Sequence, residues 1–134
     1  MTAAAEAVAI DSPIKRVLRI VCAVAMTWIG IMHFVKPNGF VRIVPSWLPA
    51  PLLLVYVSGV FEVLGGIGVL FPQPIRRISA LGLVCLYIAV FPANINMALH
   101  QIQLTEGGTM APWMMWMRLP FQFVFIAYAY WLRR

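Results

Sequence analysis

Apolar residues occupy four long runs along this chain, and charged residues or prolines stand at the ends of each run. The runs cover about residues 17–35, 52–71, 78–99 and 113–132. Each is close to the roughly 20 residues that a helix needs to cross a bilayer. The pattern predicts an all-α membrane protein, a four-transmembrane-helix bundle in which residues 14–134 form one domain. Residues 1–13 are predicted to be a short, poorly ordered N-terminal tail.

The connection between the first two runs reads KPNGFVRIVPSWLPAP, which is too short and too rich in proline to span a membrane. It nevertheless contains apolar residues, among them Phe40, Ile43 and Trp47, and tryptophan prefers the headgroup level of a bilayer. These features favour an interfacial or re-entrant loop folded against the mouth of the bundle. A plain surface loop is the alternative.

Composition agrees with membrane embedding, because 63% of the residues are hydrophobic, only 10% are charged, and the mean hydropathy is +0.90. An ordinary soluble domain carries about 25% charged residues. The net charge is +6, but the basic residues stand at the ends of apolar runs and form no patch with interleaved aromatic residues. The expected surrounding is therefore a lipid bilayer, and a nucleic-acid partner is not expected.

The distribution of basic residues predicts the orientation of the chain in the membrane. One side carries Lys15, Arg16, Arg19, Arg76, Arg77, Arg133 and Arg134. The other side carries Lys36 and Arg42, and Arg118 lies inside the fourth run. Basic residues in short loops concentrate on the cytoplasmic side. We therefore predict a multi-pass protein of a bacterial-type inner (plasma) membrane with both termini in the cytoplasm.

Polar residues inside the four runs fall at similar depths. Counted at about 1.5 Å per residue, they all lie in the half of the bundle away from the cytoplasm. The set comprises His33, Glu62, Asn94, Arg118 and Gln122. Ionisable residues inside a membrane usually face the bundle interior, pair with one another and mark functional sites. These five residues are therefore the candidate ligand-binding site.

Glu62 requires a partner, because a bare carboxylate near the centre of a bilayer is costly. Arg118 is the cation deep enough to meet it, so we predict a Glu62–Arg118 ion pair assisted by Asn94, Gln122 and His33. If no cation reaches Glu62, its carboxyl group is expected to be protonated. Ser58, Asn96 and His100 are second-tier candidates near the same site. No set of residues has the spacing of a metal site, and no catalytic residue is identified.

Two prolines inside the runs leave an alternative open. Pro92 and Pro120 each remove a backbone hydrogen bond and free a carbonyl one turn earlier, and such carbonyls need donors inside a membrane. Asn94, Asn96 or Arg118 could donate to them. The polar cluster would then be a structural clasp that holds a kinked bundle together, with no ligand.

Three segments together resemble the DoxX-like family of small four-helix membrane proteins, over roughly residues 28–133. They read GIMHFVKPNGFVRIVPSWLPAP, SGVFEVLGGIGVLFP and RRISALGLVCLYIAVFPANINMA. The resemblance implies the four-helix fold. The fold is also similar to that of quinone reductases of the vitamin K type, but their redox cysteine pair is absent here.

The resemblance implies two different functions. Relatives that are subunits of membrane oxidoreductases, including thiosulfate:quinone oxidoreductase, imply that this chain is an accessory subunit and not a catalyst on its own. It would bind a small apolar ligand, a quinone or lipid, near His33, Glu62, Asn94 and Arg118. The alternative, implied by distant relatives that assist nicotinic acetylcholine receptors, is a membrane-protein assembly factor or chaperone whose partner is another membrane protein. A homo-oligomer is compatible with either function. A small transporter is a third and less favoured function, because the cytoplasmic half offers few polar residues.

Overall fold

The computed structural model describes residues 12–105 and 107–134, and its regular structure within these ranges is entirely helical. The helices are α1 Pro13–Val35, α2 Pro37–Ile43, α3 Pro51–Gly68, α4 Ile75–His100 and α5 Pro112–Leu132. The all-α prediction is confirmed for this part of the chain. Of the predicted N-terminal tail, residues 1–11 lie outside the described residues, and Pro13 already begins α1.

Prolines set most of the helix boundaries. Four helices have a proline at their start, namely Pro13, Pro37, Pro51 and Pro112. A proline at this position loses no hydrogen bond, and its ring fixes a φ angle suited to the first turn. Proline also disfavours helical geometry in the residue before it. The long helix α1 therefore ends at Val35 and a new helix begins only two residues later.

Three helices are long and apolar enough to cross a membrane: α1 with 23 residues, α3 with 18 and α4 with 26. The 21 residues of α5 are less apolar, because they include Arg118, Gln122 and several tryptophans and tyrosines. Large apolar side chains face outward on all four long helices; for example, Val24 is 65% and Phe123 63% exposed. A continuous surface of this kind is typical of a protein that contacts another apolar phase.

Each long helix packs along the next one, α1 along α3, α3 along α4, and α4 along α5. We call the end where α1 begins and α5 ends the base. The core of the base consists of Cys22, Ala23, Met26, Val69, Ala80, Leu83, Ala129 and Leu132. At this end α5 also contacts α1, because the Tyr128 hydroxyl donates a hydrogen bond to the Leu18 carbonyl.

We call the opposite end, which holds α2, residues 101–105 and residues 107–111, the top. A second core there contains Ile43, Met97, Ala98 and Met115. The short helix α2 packs closely on Leu104, since a Cβ atom on Gly39 would lie only 2.0 Å from the Leu104 carbonyl oxygen. Arg42 Nη1 also donates to the Gln103 carbonyl over 3.3 Å. Phe40 and Ile43 of the first connection therefore belong to a short helix that packs against α3 and α4, whereas Trp47 follows this helix and is 71% exposed.

Candidate functional site

The contact between α1 and α3 is made close by two glycines. A Cβ atom on Gly30 would lie 2.9 Å from the Gly59 carbonyl oxygen and 3.2 Å from Glu62 Cβ. A Cβ atom on Gly59 would lie 2.8 Å from His33 Cβ and 3.0 Å from the Gly30 carbonyl oxygen. Small residues at such positions let two helix backbones approach each other. The two glycines thus bring His33 and Glu62 side by side.

His33 and Glu62 form a buried pair, with only 6% and 8% of their surfaces exposed. His33 Nδ1 lies 3.1 Å from Glu62 Oε2 and 2.7 Å from the carbonyl oxygen of Ile29, one turn earlier on α1. The other side of the imidazole stacks on the Phe40 ring of α2, with 3.9 Å between the ring centroids. The histidine therefore links the α1–α3 contact to the short helix at the top.

The predicted Glu62–Arg118 pair is wrong. Within the described residues, the basic side chain within 4 Å of Glu62 is His33, whereas Arg118 Nη2 donates to Asn94 Oδ1 over 3.4 Å. Glu62 lies on the face of α3 that packs against α1. Arg118 instead uses the face of α5 that packs against α4.

Asn94, Arg118 and Gln122 form a second polar group, between α4 and α5. The Asn94 side chain accepts from Arg118 and donates through Nδ2 to Gln122 Oε1. Gln122 Nε2 in turn donates to the backbone carbonyl of Tyr87. Pro92 frees the carbonyl of Ile88, four residues earlier, so the Tyr87 carbonyl is its neighbour along α4 and not the freed group itself. The donors predicted for such carbonyls have other acceptors: Asn94 donates to Gln122, Asn96 to the Ile43 carbonyl and Arg118 to Asn94.

Two of the second-tier residues, Asn96 and His100, lie at the top of the fold. Asn96 Nδ2 donates to the carbonyl oxygen of Ile43 over 3.0 Å, which fastens the end of α2 to α4. His100 is exposed, and its Nδ1 lies 3.1 Å from the Asn96 carbonyl oxygen. Neither has a hydrogen bond to the two buried polar groups in the described part of the chain. Asn96 and His100 are thus placed apart from the other candidates.

Several polar atoms at this site keep unused hydrogen-bonding capacity. Ser58 Oγ is buried and has no hydrogen-bond partner among the described residues. Glu62 Oε2 likewise accepts no hydrogen bond there. It lies 3.1 Å from His33 Nδ1, and the Ile29 carbonyl oxygen, at 2.7 Å, is the closer neighbour of that nitrogen. Arg118 has five N–H groups, of which one makes a long hydrogen bond. Buried polar atoms without partners are uncommon in proteins and call for an explanation.

Two of the surface grooves formed by the described residues have volumes of about 340 Å³ each, and neither is lined by the buried polar residues. The base groove is lined by Gln73, Pro74, Arg77, Arg133 and Arg134. The side groove, on the outer face of α1 and α3, is lined by Ala23, Val24, Thr27, Trp28, Ile31, Ile67 and Leu70. Within the described residues no three His, Cys, Asp or Glu side chains converge as metal ligands would.

The sequence prediction missed the two glycines that build the α1–α3 contact. A signal for them exists, because the first span contains Gly-Ile-Met-His at residues 30–33 and the second contains Gly-Val-Phe-Glu at residues 59–62. In both spans a glycine stands three residues before a polar side chain, so both residues share one helix face. When the helices run antiparallel, each glycine faces the polar residue of its neighbour.

The comparisons with known proteins identify a family and nothing further. The family model described as domain of unknown function (DUF8561) matches residues 5–133, which include all five helices. This chain belongs to that family. No curated protein and no solved structure matches it.

Proposed function

We propose that this member of the DUF8561 family is a four-transmembrane-helix bundle of a bacterial-type inner membrane, with α5 as the fourth span. Three helices already have the length and hydropathy of spans, and α5 packs along one of them with a similar length. The base carries most of the basic residues near helix ends, which favours a cytoplasmic base and a top on the other side. In this arrangement α2 lies at the interface between lipid and water, and both termini are cytoplasmic.

We further propose that the top half binds one small apolar ligand with a polar head, a quinone or a lipid. The observation that carries this proposal is the unused hydrogen-bonding capacity of Ser58, Glu62 and Arg118. A carbonyl oxygen on the ligand could accept from Ser58 or Arg118, and a hydroxyl group could donate to Glu62 Oε2. A few convergent polar groups among apolar side chains are what orient such ligands.

The resemblance to DoxX-like proteins supports the role of this binding. Within that proposal the chain is an accessory subunit of a membrane oxidoreductase system, where it holds a quinone or lipid for a partner that carries out the chemistry. The buried pair His33–Glu62 would fix the polar end of the ligand site, and the Asn94–Gln122 hydrogen bond would fix the position of Arg118.

The test is native mass spectrometry of the gently purified full-length protein, in search of a retained quinone or lipid. We expect one ligand per chain in the wild type, and its loss in Ser58→Ala and in Glu62→Gln. The matched control is Ser79→Ala, which removes a hydroxyl group at the α3–α4 contact near the base and should keep the ligand. A wild type without any small molecule, or equal retention in all three variants, would refute the ligand site.

The second candidate function, an assembly factor, is favoured by the side groove between α1 and α3. The side chains that line it are apolar apart from Thr27. The small Ala23 and the large Trp28 make its surface uneven, and side chains of a client helix could pack into it. The companion would be another membrane protein or a second copy of this chain. Thr27→Trp should fill the groove and abolish co-purification of a stoichiometric companion from native membranes. Co-purification that survives this substitution would contradict the assembly-factor function.

A further inference from the structure

The side chain of Gln73, which lines the base groove, is held by two hydrogen bonds. Its Nε2 donates to the Arg133 carbonyl oxygen over 2.7 Å, and its Oε1 accepts from the Arg77 backbone N–H over 3.1 Å. One amide side chain therefore ties the first turn of α4 to the residues that follow α5. Because both partners are backbone atoms, the side chains of the groove can be changed without removing these hydrogen bonds.

The walls of the groove are positively charged. Arg77, Arg133 and Arg134 all line it, and the guanidinium groups of Arg77 and Arg134 have no hydrogen bond or ion pair within the described part of the chain. Arg133 is held in place, since its Nη1 donates to the Tyr130 carbonyl oxygen over 2.8 Å and its guanidinium carbon lies 3.6 Å from the centre of the Tyr130 ring. Guanidinium groups bind phosphate oxygens through paired N–H donors.

Exposed apolar and aromatic residues are the neighbours, along α4 and α5, of the residues that line the groove. Ile78 lies one residue beyond Arg77 on α4 and is 67% exposed, and Tyr130 and Trp131 at the end of α5 are 50% and 44% exposed. A positively charged cleft that adjoins exposed apolar and aromatic side chains matches a molecule with an anionic head and a hydrocarbon tail. Inorganic phosphate would use only the cleft.

We propose that the base groove binds the phosphate headgroup of an anionic phospholipid in the cytoplasmic leaflet, with its acyl chains along Ile78 and Trp131. Basic pockets between membrane helices on the cytoplasmic side are suited to such headgroups. The inference rests on the membrane embedding proposed above, but it is independent of the ligand site at the top. The lipid would connect the start of α4 to the end of α5.

The experiment is a titration of the delipidated full-length protein in detergent with phosphatidylglycerol, followed by native mass spectrometry. Arg77→Gln should weaken binding about fivefold, as expected for one basic residue near an anionic lipid. The matched control is Arg16→Gln, which removes an exposed charge at the same end but outside the groove and should change binding by less than about twofold. Phosphatidylcholine should bind more weakly than phosphatidylglycerol to the wild type.

Three results would overturn the inference. Equal weakening by Arg77→Gln and Arg16→Gln would mean that only the general charge of the base attracts the lipid. Competition by millimolar inorganic phosphate would mean that the groove takes free phosphate. Equal binding of phosphatidylcholine and phosphatidylglycerol to the wild type would mean that the groove does not select an anionic lipid. Ser58→Ala should leave phosphatidylglycerol binding intact, which separates this site from the one at the top.

Discussion

The close contact between α1 and α3 predicts a large effect of adding one methyl group at Gly59. The Cβ atom of Gly59→Ala would lie 2.8 Å from His33 Cβ, 2.9 Å from Phe34 Cε2 and 3.0 Å from the Gly30 carbonyl oxygen. Comfortable carbon–carbon contacts are about 3.5–4.0 Å. Two of the three obstructing atoms belong to Cβ and backbone positions that cannot rotate away, so the helices themselves must separate by roughly 0.5–1 Å.

The expected cost of this separation is about 1–3 kcal/mol, the usual penalty for an extra methyl group in a well-packed contact. Gly82→Ala is the matched control, because a Cβ atom at Gly82 meets no atom within 4 Å. Both substitutions gain the same helix propensity of alanine over glycine, about 1 kcal/mol. Their difference in free energy of unfolding therefore isolates the steric cost at the α1–α3 contact.

The assay is reversible denaturation of both variants in mixed detergent micelles, with helicity as the signal. We expect Gly59→Ala to unfold at a lower denaturant concentration than Gly82→Ala. The substitution should also disturb the His33–Glu62 contact, so its effect should shrink in a background that already carries Glu62→Gln. Equal stability of the two alanine variants would refute the claim that this glycine sets the distance between the helices.

The two buried polar groups and the attachment of α2 give three more predictions. Double-mutant cycles measured by chemical denaturation should give about 0.5–3 kcal/mol of coupling for His33 with Glu62 and less than about 0.5 kcal/mol for Glu62 with Arg118; the reverse order would contradict the observed partners. Gln122→Leu should lower the free energy of unfolding by about 1–3 kcal/mol, because it leaves two hydrogen-bond partners unpaired; unchanged stability would mean that these bonds are not made. Asn96→Ala should speed amide hydrogen exchange in α2 without changing it in α3, and an unaffected α2 would contradict its attachment to α4.

The spans were predictable because length and apolarity along the chain are one-dimensional quantities. The predicted run at 78–99 corresponds to α4, Ile75–His100, and the run at 52–71 corresponds to α3, Pro51–Gly68. The small errors come from residues that are polar yet helical, such as Arg76 and Arg77 in the first turn of α4. Hydropathy alone places these residues outside the span, whereas helix geometry continues through them.

The polar partners were not predictable from depth, because depth fixes only one of two coordinates. A residue on a helix also has a direction around the axis, and that direction decides which neighbour it faces. Glu62 faces His33 of α1, whereas Arg118 faces Asn94 of α4. For Glu62 the missing direction could have been read from the glycine three residues before it, because a glycine marks the face on which another helix approaches closely.

The division of the buried polar residues into two groups bears on the proposed ligand site. One group belongs to the α1–α3 contact and ends at Glu62, and the other belongs to the α4–α5 contact and ends at Arg118. The α4–α5 group is hydrogen-bonded within its helix pair, and His33 and Glu62 are in contact across the α1–α3 pair, which a structural clasp would explain. A clasp does not explain why, in the α1–α3 pair, Ser58 Oγ and Glu62 Oε2 stay without hydrogen bonds among the described residues. It also does not explain why, in the α4–α5 pair, Arg118 keeps N–H groups that are not used in its hydrogen bond to Asn94. A ligand head that used both would join the two helix pairs, and on this reasoning ligand binding should stabilise the fold as well as occupy the site.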